Sequence, residues 1–195
     1  MDRRVGAAAV ALCVWALLAP SRGAGVGAQK VRAGGAQKVE AARTHCDLWA
    51  YVVDPDPAGL NVRSGPGKQF AVVGHLPQHE YSVSVHVTGA TGQWLRIEGG
   101  EKQDTGEVVF KGAGWVYGPM LATQTKDYGG LDPEAPRVEI YVSPTKRASV
   151  VTRLPNETEV NLIGCRNRWA QVRHKTIEGW LDPESQCYST LTTCS

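Results

Sequence analysis

The 195-residue chain has no C-x-x-C spacing, no concentrated basic stripe, no apolar run of twenty residues and, beyond its leader, no helical hydrophobic stripe. Each absence excludes something. Without paired cysteines at zinc-ligand spacing a structural metal site lacks its usual framework. His75 and His79 stand four apart, but they flank a Leu-Pro turn rather than lying on a helix, so their rings do not share one face and no metal is expected. Without a basic stripe nothing releases counterions from phosphate, and nucleic acid drops out as a partner. The 22 Gly, 11 Pro and 42% hydrophobic residues describe a globular protein rich in turns, neither collagenous nor disordered. A chain this long holds one medium domain or two very small ones and has no room for a large catalytic α/β domain with accessories.

The only long apolar run is Val5 to Ala19, preceded by Arg3 and Arg4 and followed by Pro20 and small residues. That layout is a secretory signal peptide, shorter than the ~20 apolar residues of a membrane span. Residues 1–28 are read as the cleaved leader, cut somewhere in 23–28, with Val26-Gly27-Ala28 offering small residues at −3 and −1 and Ser21-Arg22-Gly23 a second candidate site, and no stable membrane insertion is expected afterwards. Cys13 lacks the small residues before it that a lipoprotein signal needs. Cleavage removes Arg3, Arg4, Arg22 and Asp2, leaving 18 basic residues (21 less 3) and 18 acidic ones (19 less 1). The mature chain is neutral, so no partner is selected by long-range charge.

Export places the chain in the periplasm or outside the cell, where Cys46, Cys165, Cys187 and Cys194 meet an oxidising compartment and are disulfide candidates. Three pairings are open. A bridge using Cys187 or Cys194 would hold down a C-terminal tail that has no hydrophobic pattern of its own.

Residues 29–45 read as a flexible spacer, rich in Ala, Gly, Lys and Arg and repeating GAQKV. The GAGVGA stretch at 23–28 resembles a dinucleotide fingerprint but follows a leader, not a strand, so no cofactor is called for. From Cys46 onward, short Val, Ile, Leu, Tyr and Trp runs alternate with polar residues and close on Gly, Pro, Asn or Asp. Twelve strands are expected, at 49–53, 60–63, 71–76, 82–88, 94–98, 106–110, 114–117, 138–142, 150–154, 159–164, 169–173 and 179–181, in an all-β protein.

The pattern occurs twice. LNVRSGPGKQFAVVGHLP, then WLRI, then GWV is matched by EIYVSPTKRASVVTRLP, then WAQV, then GWL. Pro66 to Pro77 and Pro144 to Pro155 are both 11 apart, with Val72-Val73 and Val150-Val151 at one offset. Trp94 to Trp115 spans 21 residues and Trp169 to Trp180 only 11, so the first copy carries an insertion of about ten residues, most simply a longer hairpin. Gly114 and Gly179, each before a tryptophan, allow close backbone approach. The four repeat tryptophans are expected to supply aromatic bulk to two cores near the lower size limit.

These residues resemble the bacterial SH3-like family, which opens on L-N-V-R-x-G-P and closes on G-W-V. The resemblance covers roughly 47–122 and 136–185 and implies two small SH3-like β-barrels in tandem, at 46–124 and 137–195, joined by a linker at 125–136. It implies cell-wall peptidoglycan or its peptide stems as ligand. The alternative is an interaction scaffold for an envelope protein, with no affinity for wall polymer. The second copy has IYVSP where the first opening has VRSGP, so a function tied to Arg63 does not transfer to it.

Exposed aromatics beside polar loops stack on sugars or grip peptides, which makes Trp49, Tyr51, Trp94, Trp115, Tyr117, Tyr141, Trp169 and Trp180 candidates. Trp94 follows ATGQ and Trp169 follows CRNR, turns that leave them partly exposed, whereas Trp115 and Trp180 look structural. Arg63 offers a planar fork for a carboxylate or braces its own loop, and Asn61 and Ser64 share that ambiguity. The ligand set is therefore Asn61, Arg63, Ser64, Trp94, Tyr141 and Trp169. No catalytic residue is assigned: Cys46 follows His45, but neighbours in sequence do not make a dyad. Asn156-Glu157-Thr158 fits a glycosylation acceptor and reads as a turn.

Overall fold

A computed structural model describes residues 43–78, 82–128, 136–192 and 194. The leader 1–28, spacer residues 29–42, His79 and linker residues 129–135 lie outside the described residues.

The described chain is all-β. Its strands are β1 (Thr44–Val52), β2 (Leu60–Arg63), β3 (Val72–Leu76), β4 (Val83–Thr91), β5 (Trp94–Lys102), β6 (Val108–Tyr117), β7 (Leu121–Thr125), β8 (Val138–Tyr141), β9 (Val150–Leu154), β10 (Glu159–Arg166), β11 (Trp169–His174), β12 (Ile177–Leu181) and β13 (Gln186–Cys187). Two 3-10 turns, Gly118–Met120 and Pro183–Ser185, precede β7 and β13. The expected strands at 106–110 and 114–117 are one continuous β6, and β1 starts at Thr44, inside the segment read as spacer. The inserted residues lengthen the β5–β6 hairpin, whose turn closes through Lys102 N–H to Glu107 O and Gly106 N–H to Lys102 O, both 2.9 Å.

All ladders are antiparallel, and they form one hydrogen-bonded sheet in the order β3-β2-β6-β5-β4-β1-β7-β10-β11-β12-β8-β9. Read from either end, the order pairs β3 with β9, β2 with β8, β6 with β12, β5 with β11 and β4 with β10, which are the equivalent segments of the sequence repeat. The strand between the halves is β7, which neither copy's motif announced. It lies along β10 on one edge, while β1 and then β13 follow one another on the other. Thr125, at the start of the segment read as a linker, ends β7, is buried, and donates its hydroxyl to Pro155 O at 2.7 Å. One sheet thus runs unbroken through the expected boundary.

The core is aliphatic. Leu76, Leu95, Ile97, Leu121, Ile140, Leu162 and Leu181 are its largest fully buried side chains, each contributing ~1.5–3 kcal/mol of transfer free energy. The four repeat tryptophans lie outside it, half-buried on the opposite face. Strand alternation is the reason: Leu95 and Ile97 point inward, so Trp94 and Arg96 point outward, and Ala170 and Val172 do the same to Trp169 and Gln171. The expected close approach at the glycines is present. A Cβ on Gly114 would stand 2.3 Å from Val62 Cγ1, and one on Gly179 2.4 Å from Ile140 Cγ2.

The four cysteines form Cys46–Cys165, across 119 residues of chain, and Cys187–Cys194, across 7. The first ties β1 to β10, where Asp47 N–H donates to Asn167 O and Asn167 N–H to His45 O, both at 2.8 Å. The second closes the tail into a loop after β13.

Candidate functional site

The loop between β2 and β3 is organised by Arg63, the last residue of β2. Its Nη1 donates to Phe70 O at 2.8 Å and to Lys68 O at 3.2 Å, so Arg63 does brace its own loop. Both bonds leave from one nitrogen. The Nε and Nη2 donors make no hydrogen bond within the described residues and keep half of the fork available.

Strand pairing brings Trp94 opposite Tyr117, and their rings meet at 5.7 Å with a 55° tilt. Tyr117 Oη donates to Gln93 Oε1 at 3.1 Å, which sets the phenol on the groove wall. The segment after β1 is drawn to the same place by Val53 N–H donating to Met120 O at 2.9 Å. Its carboxylates are held in tight turns: Asp54 Oδ1 accepts Asp56 N–H at 3.0 Å, and Asp56 Oδ1 accepts Ala58 N–H at 2.9 Å.

The result is an open groove of about 750 Å³. Asn61, Arg63 and Trp94, three of the six residues expected to bind ligand, line it together with Tyr117. Ser64 does not: it is exposed on the loop, and its N–H donates to Ala71 O at 2.9 Å. Asp54, Asp56, Lys68 and Met120 also line the groove and were not expected. Nothing local distinguishes them from ordinary turn residues, since only the β1–β2 loop, the β2–β3 loop and the turn before β7 coming together makes them neighbours. The groove therefore carries carboxylates on one loop, cations on the other and an aromatic pair between.

Tyr141 and Trp169 lie in the other half, in a T-shaped pair at 5.7 Å and 80°. There the positions equivalent to Asn61, Arg63, Lys68 and Tyr117 are Glu139, Tyr141, Lys146 and Asp182. Their charges are spent on each other. Arg153 Nη2 donates to Glu139 Oε1 at 2.7 Å, Tyr141 Oη to Glu139 Oε2 at 2.8 Å, and Lys146 Nζ lies 2.6 Å from Glu184 Oε2 and 3.6 Å from Asp182 Oδ1. The hydrogen bond from Lys146 holds the Glu184 carboxyl below its ordinary range, and Glu184 with Asp182 raises Lys146 above its own. The bonds from Tyr141 and Arg153 lower Glu139. Where the first half leaves its cations facing a groove, the second ties its lysine across to the turn after β12.

Of the other candidates, Tyr51 is buried and donates to Glu159 Oε2 at 3.0 Å, a bond between the two halves. Arg63 pairs with Trp115 in the β2–β6 ladder, and the Arg166 guanidinium stands 6.0 Å over the Trp180 ring. Among the described residues no group of three metal-ligating side chains occurs, and no helix is long and apolar enough to cross a membrane.

Comparison with known proteins finds a family match in the second half of the chain. Residues 136–185 match the family described as the bacterial SH3 domain. Over 142 residues, 66% of the chain, the protein is 24% identical to YrvJ of Bacillus subtilis (strain 168), named as a candidate N-acetylmuramoyl-L-alanine amidase. The chain spans 24% of that relative's length. Among solved structures, NlpC1 and NlpC2 from Trichomonas vaginalis are similar at 11% and 10% identity over 73% of this chain, covering 46% and 48% of theirs, with TM-scores of 0.29 and 0.28. Values that low do not define a common overall architecture.

Proposed function

We propose that the protein is an exported, non-enzymatic binding protein of two bacterial SH3-like modules that share β7, and that its first-half groove holds cell-wall peptidoglycan by the peptide stem. One observation carries the reading: Asn61 and Arg63 on β2 and Trp94 on β5 line one open groove with Asp54, Asp56 and Lys68. A peptide stem bears carboxylates, an amino group and short apolar side chains. The spare donors of Arg63 and the Lys68 ammonium suit the carboxylates, the Asp54 and Asp56 pair suits the amine, and Trp94 with Tyr117 suits the apolar part. The match of residues 136–185 to the bacterial SH3 domain and the relative named as a candidate N-acetylmuramoyl-L-alanine amidase support the same ligand. Two disulfides suit the periplasm or the exterior. Cys46, bonded to Cys165, offers no thiolate for catalysis.

Co-sedimentation of the oxidised protein with isolated sacculi tests the proposal. Saturable pelleting is expected, about tenfold weaker in Trp94→Ala and several-fold weaker in Lys68→Ala, a surface change that leaves the loop bonds of Arg63 intact. Trp169→Ala should pellet as the parent does. Absence of pelleting, or loss only in Trp169→Ala, would overturn the assignment.

A further inference from the structure

The features that break the sequence repeat meet at one place. These are the tail closed by Cys187–Cys194, the first-copy insertion, and Trp49 on β1, which has no counterpart among the paired motifs. Gln103, in the turn of the long β5–β6 hairpin, donates from Nε2 to Tyr188 O at 2.8 Å and accepts from Thr190 N–H at 2.9 Å. Those bonds fix the tail beside β1. Tyr188 then stacks on Trp49 at 5.6 Å, and Trp49 stacks on His86 at 5.2 Å, both at 29° between planes. Offsets of that size leave part of each ring face uncovered, and Trp49 is 40% and Tyr188 44% exposed.

Trp49 and Tyr188 form one wall of an open pocket of about 510 Å³, lined elsewhere by Asp47, Arg168, Pro183 and Gln186. It is made jointly by the two halves, because Arg168 belongs to the β10–β11 turn that the Cys46–Cys165 bridge holds against β1. The polar groups are directional. Asp47 Oδ1 accepts from His86 Nε2 at 2.9 Å and leaves Oδ2 as an acceptor. Gln186 uses its amide N–H groups on Arg168 O, at 2.8 Å, and Leu181 O, at 3.3 Å, so its Oε1 is an acceptor without a bond among the described residues. Arg168 supplies donors, and one negative and one positive group leave the pocket neutral.

We propose that this pocket is a second ligand site, separate from the Trp94 groove, and that it takes an N-acetylated amino-sugar ring of a glycan strand. A neutral site with a flat aromatic wall matches a pyranose, which has an apolar C–H face and a rim of hydroxyls. The spare Gln186 Oε1 and Asp47 Oδ2 accept from an acetamido N–H and a hydroxyl, and Arg168 donates to ring or acetyl oxygens. The volume lies within the range of small-ligand sites, ~300–1,000 Å³. The inference does not depend on the peptide-stem reading, since none of its residues lines the other groove.

Titration of the full oxidised protein with chitotetraose, a β-1,4-linked N-acetylglucosamine tetramer, followed by indole fluorescence and by calorimetry, tests it. Saturable binding is expected, about tenfold weaker in Tyr188→Ala and in Arg168→Ala and unchanged in Trp94→Ala. Tyr188 and Arg168 are exposed, so these variants keep the core, and near-ultraviolet circular dichroism checks their folding. Cellotetraose, which lacks acetamido groups, should bind at least several-fold more weakly. No saturation by chitotetraose, equal affinity for cellotetraose, or binding untouched by both variants in folded protein would each overturn the proposal. Sacculus pelleting that depends on Trp94 while chitotetraose fails would retain the stem-binding groove and reject this site.

Discussion

Replacing Cys46 and Cys165 together by Ala should destabilise the protein far more than replacing Cys187 and Cys194. Both bridges act chiefly by restricting the unfolded chain, and the restriction grows with the logarithm of the closed loop. For the 119-residue separation of Cys46 and Cys165 the chain-entropy relation gives about 4.9 kcal/mol at 25 °C, and for the separation of 7 between Cys187 and Cys194 about 2.4 kcal/mol. Alanine is the right replacement, because Cys46 and Cys165 are 1% and 4% exposed and a serine would bury a hydroxyl. At about 2–4 °C per kcal/mol for a domain this size, melting should fall by about 10–20 °C in the first variant and about 5–10 °C in the second. Thermal and urea unfolding under oxidising conditions, with non-reducing electrophoresis to confirm the remaining bridge, reads both values. The tail variant should also loosen Tyr188 and weaken the aromatic pocket while leaving the Trp94 groove intact. A greater loss on removing the short loop, or less than about 1 kcal/mol on removing the long one, would refute the reasoning.

Gly114→Ala and Gly179→Ala should each cost about 1–3 kcal/mol by urea denaturation, because the new methyl meets Val62 Cγ1 at 2.3 Å in one and Ile140 Cγ2 at 2.4 Å in the other. The urea midpoint should fall in acid: hydrogen bonds from His86, Arg96, Tyr141 and Lys146 lower the carboxyls of Asp47, Glu98, Glu139 and Glu184 respectively. Groups lowered in the folded state contribute above their ordinary values of 3.8 for Asp and 4.5 for Glu, and that contribution is lost as pH drops through the folded values. At the alkaline end, burial and the neighbouring Glu159 raise Tyr51 above 10.0, and Glu184 raises Lys146 above 10.5, so their contributions, present below those values, are lost as pH climbs toward the folded ones. In a phenolate absorbance titration Tyr51 should ionise late, and Tyr51→Phe should reduce the amplitude of that late step.

Much of the local architecture was legible in the chain. Alternation in WLRI and WAQV assigned β5 and β11, the doubled Pro-to-Pro spacing located β3 and β9, and the extra residues between Trp94 and Trp115 became the longer hairpin. Asn61, Arg63 and Trp94 were recognisable as ligand candidates because a polar, turn-rich opening and a tryptophan after a turn are local features. β7 and β13 were missed because each is short and carries no alternation of its own: LATQT and QC are strands only because neighbours present open edges to them. The small size of each repeat suggested that tryptophans supply the core, but alternation says which residues share a face and not which face is buried.

What the sequence by itself determined is therefore the all-β class, the repeat, and one wall of the Trp94 groove, all of which follow from spacing along a strand or turn. The tertiary structure alone decided the pairing of the cysteines, the continuity of the sheet through β7 and the meeting of Asp54 and Asp56 with Lys68. It likewise decided that Trp49, Arg168 and Tyr188 would wall one pocket. The Cys46–Cys165 bridge and the Trp49 pocket join residues distant in the chain, brought together because β7 presents one hydrogen-bonding edge to β10 and the other to β1 and β13.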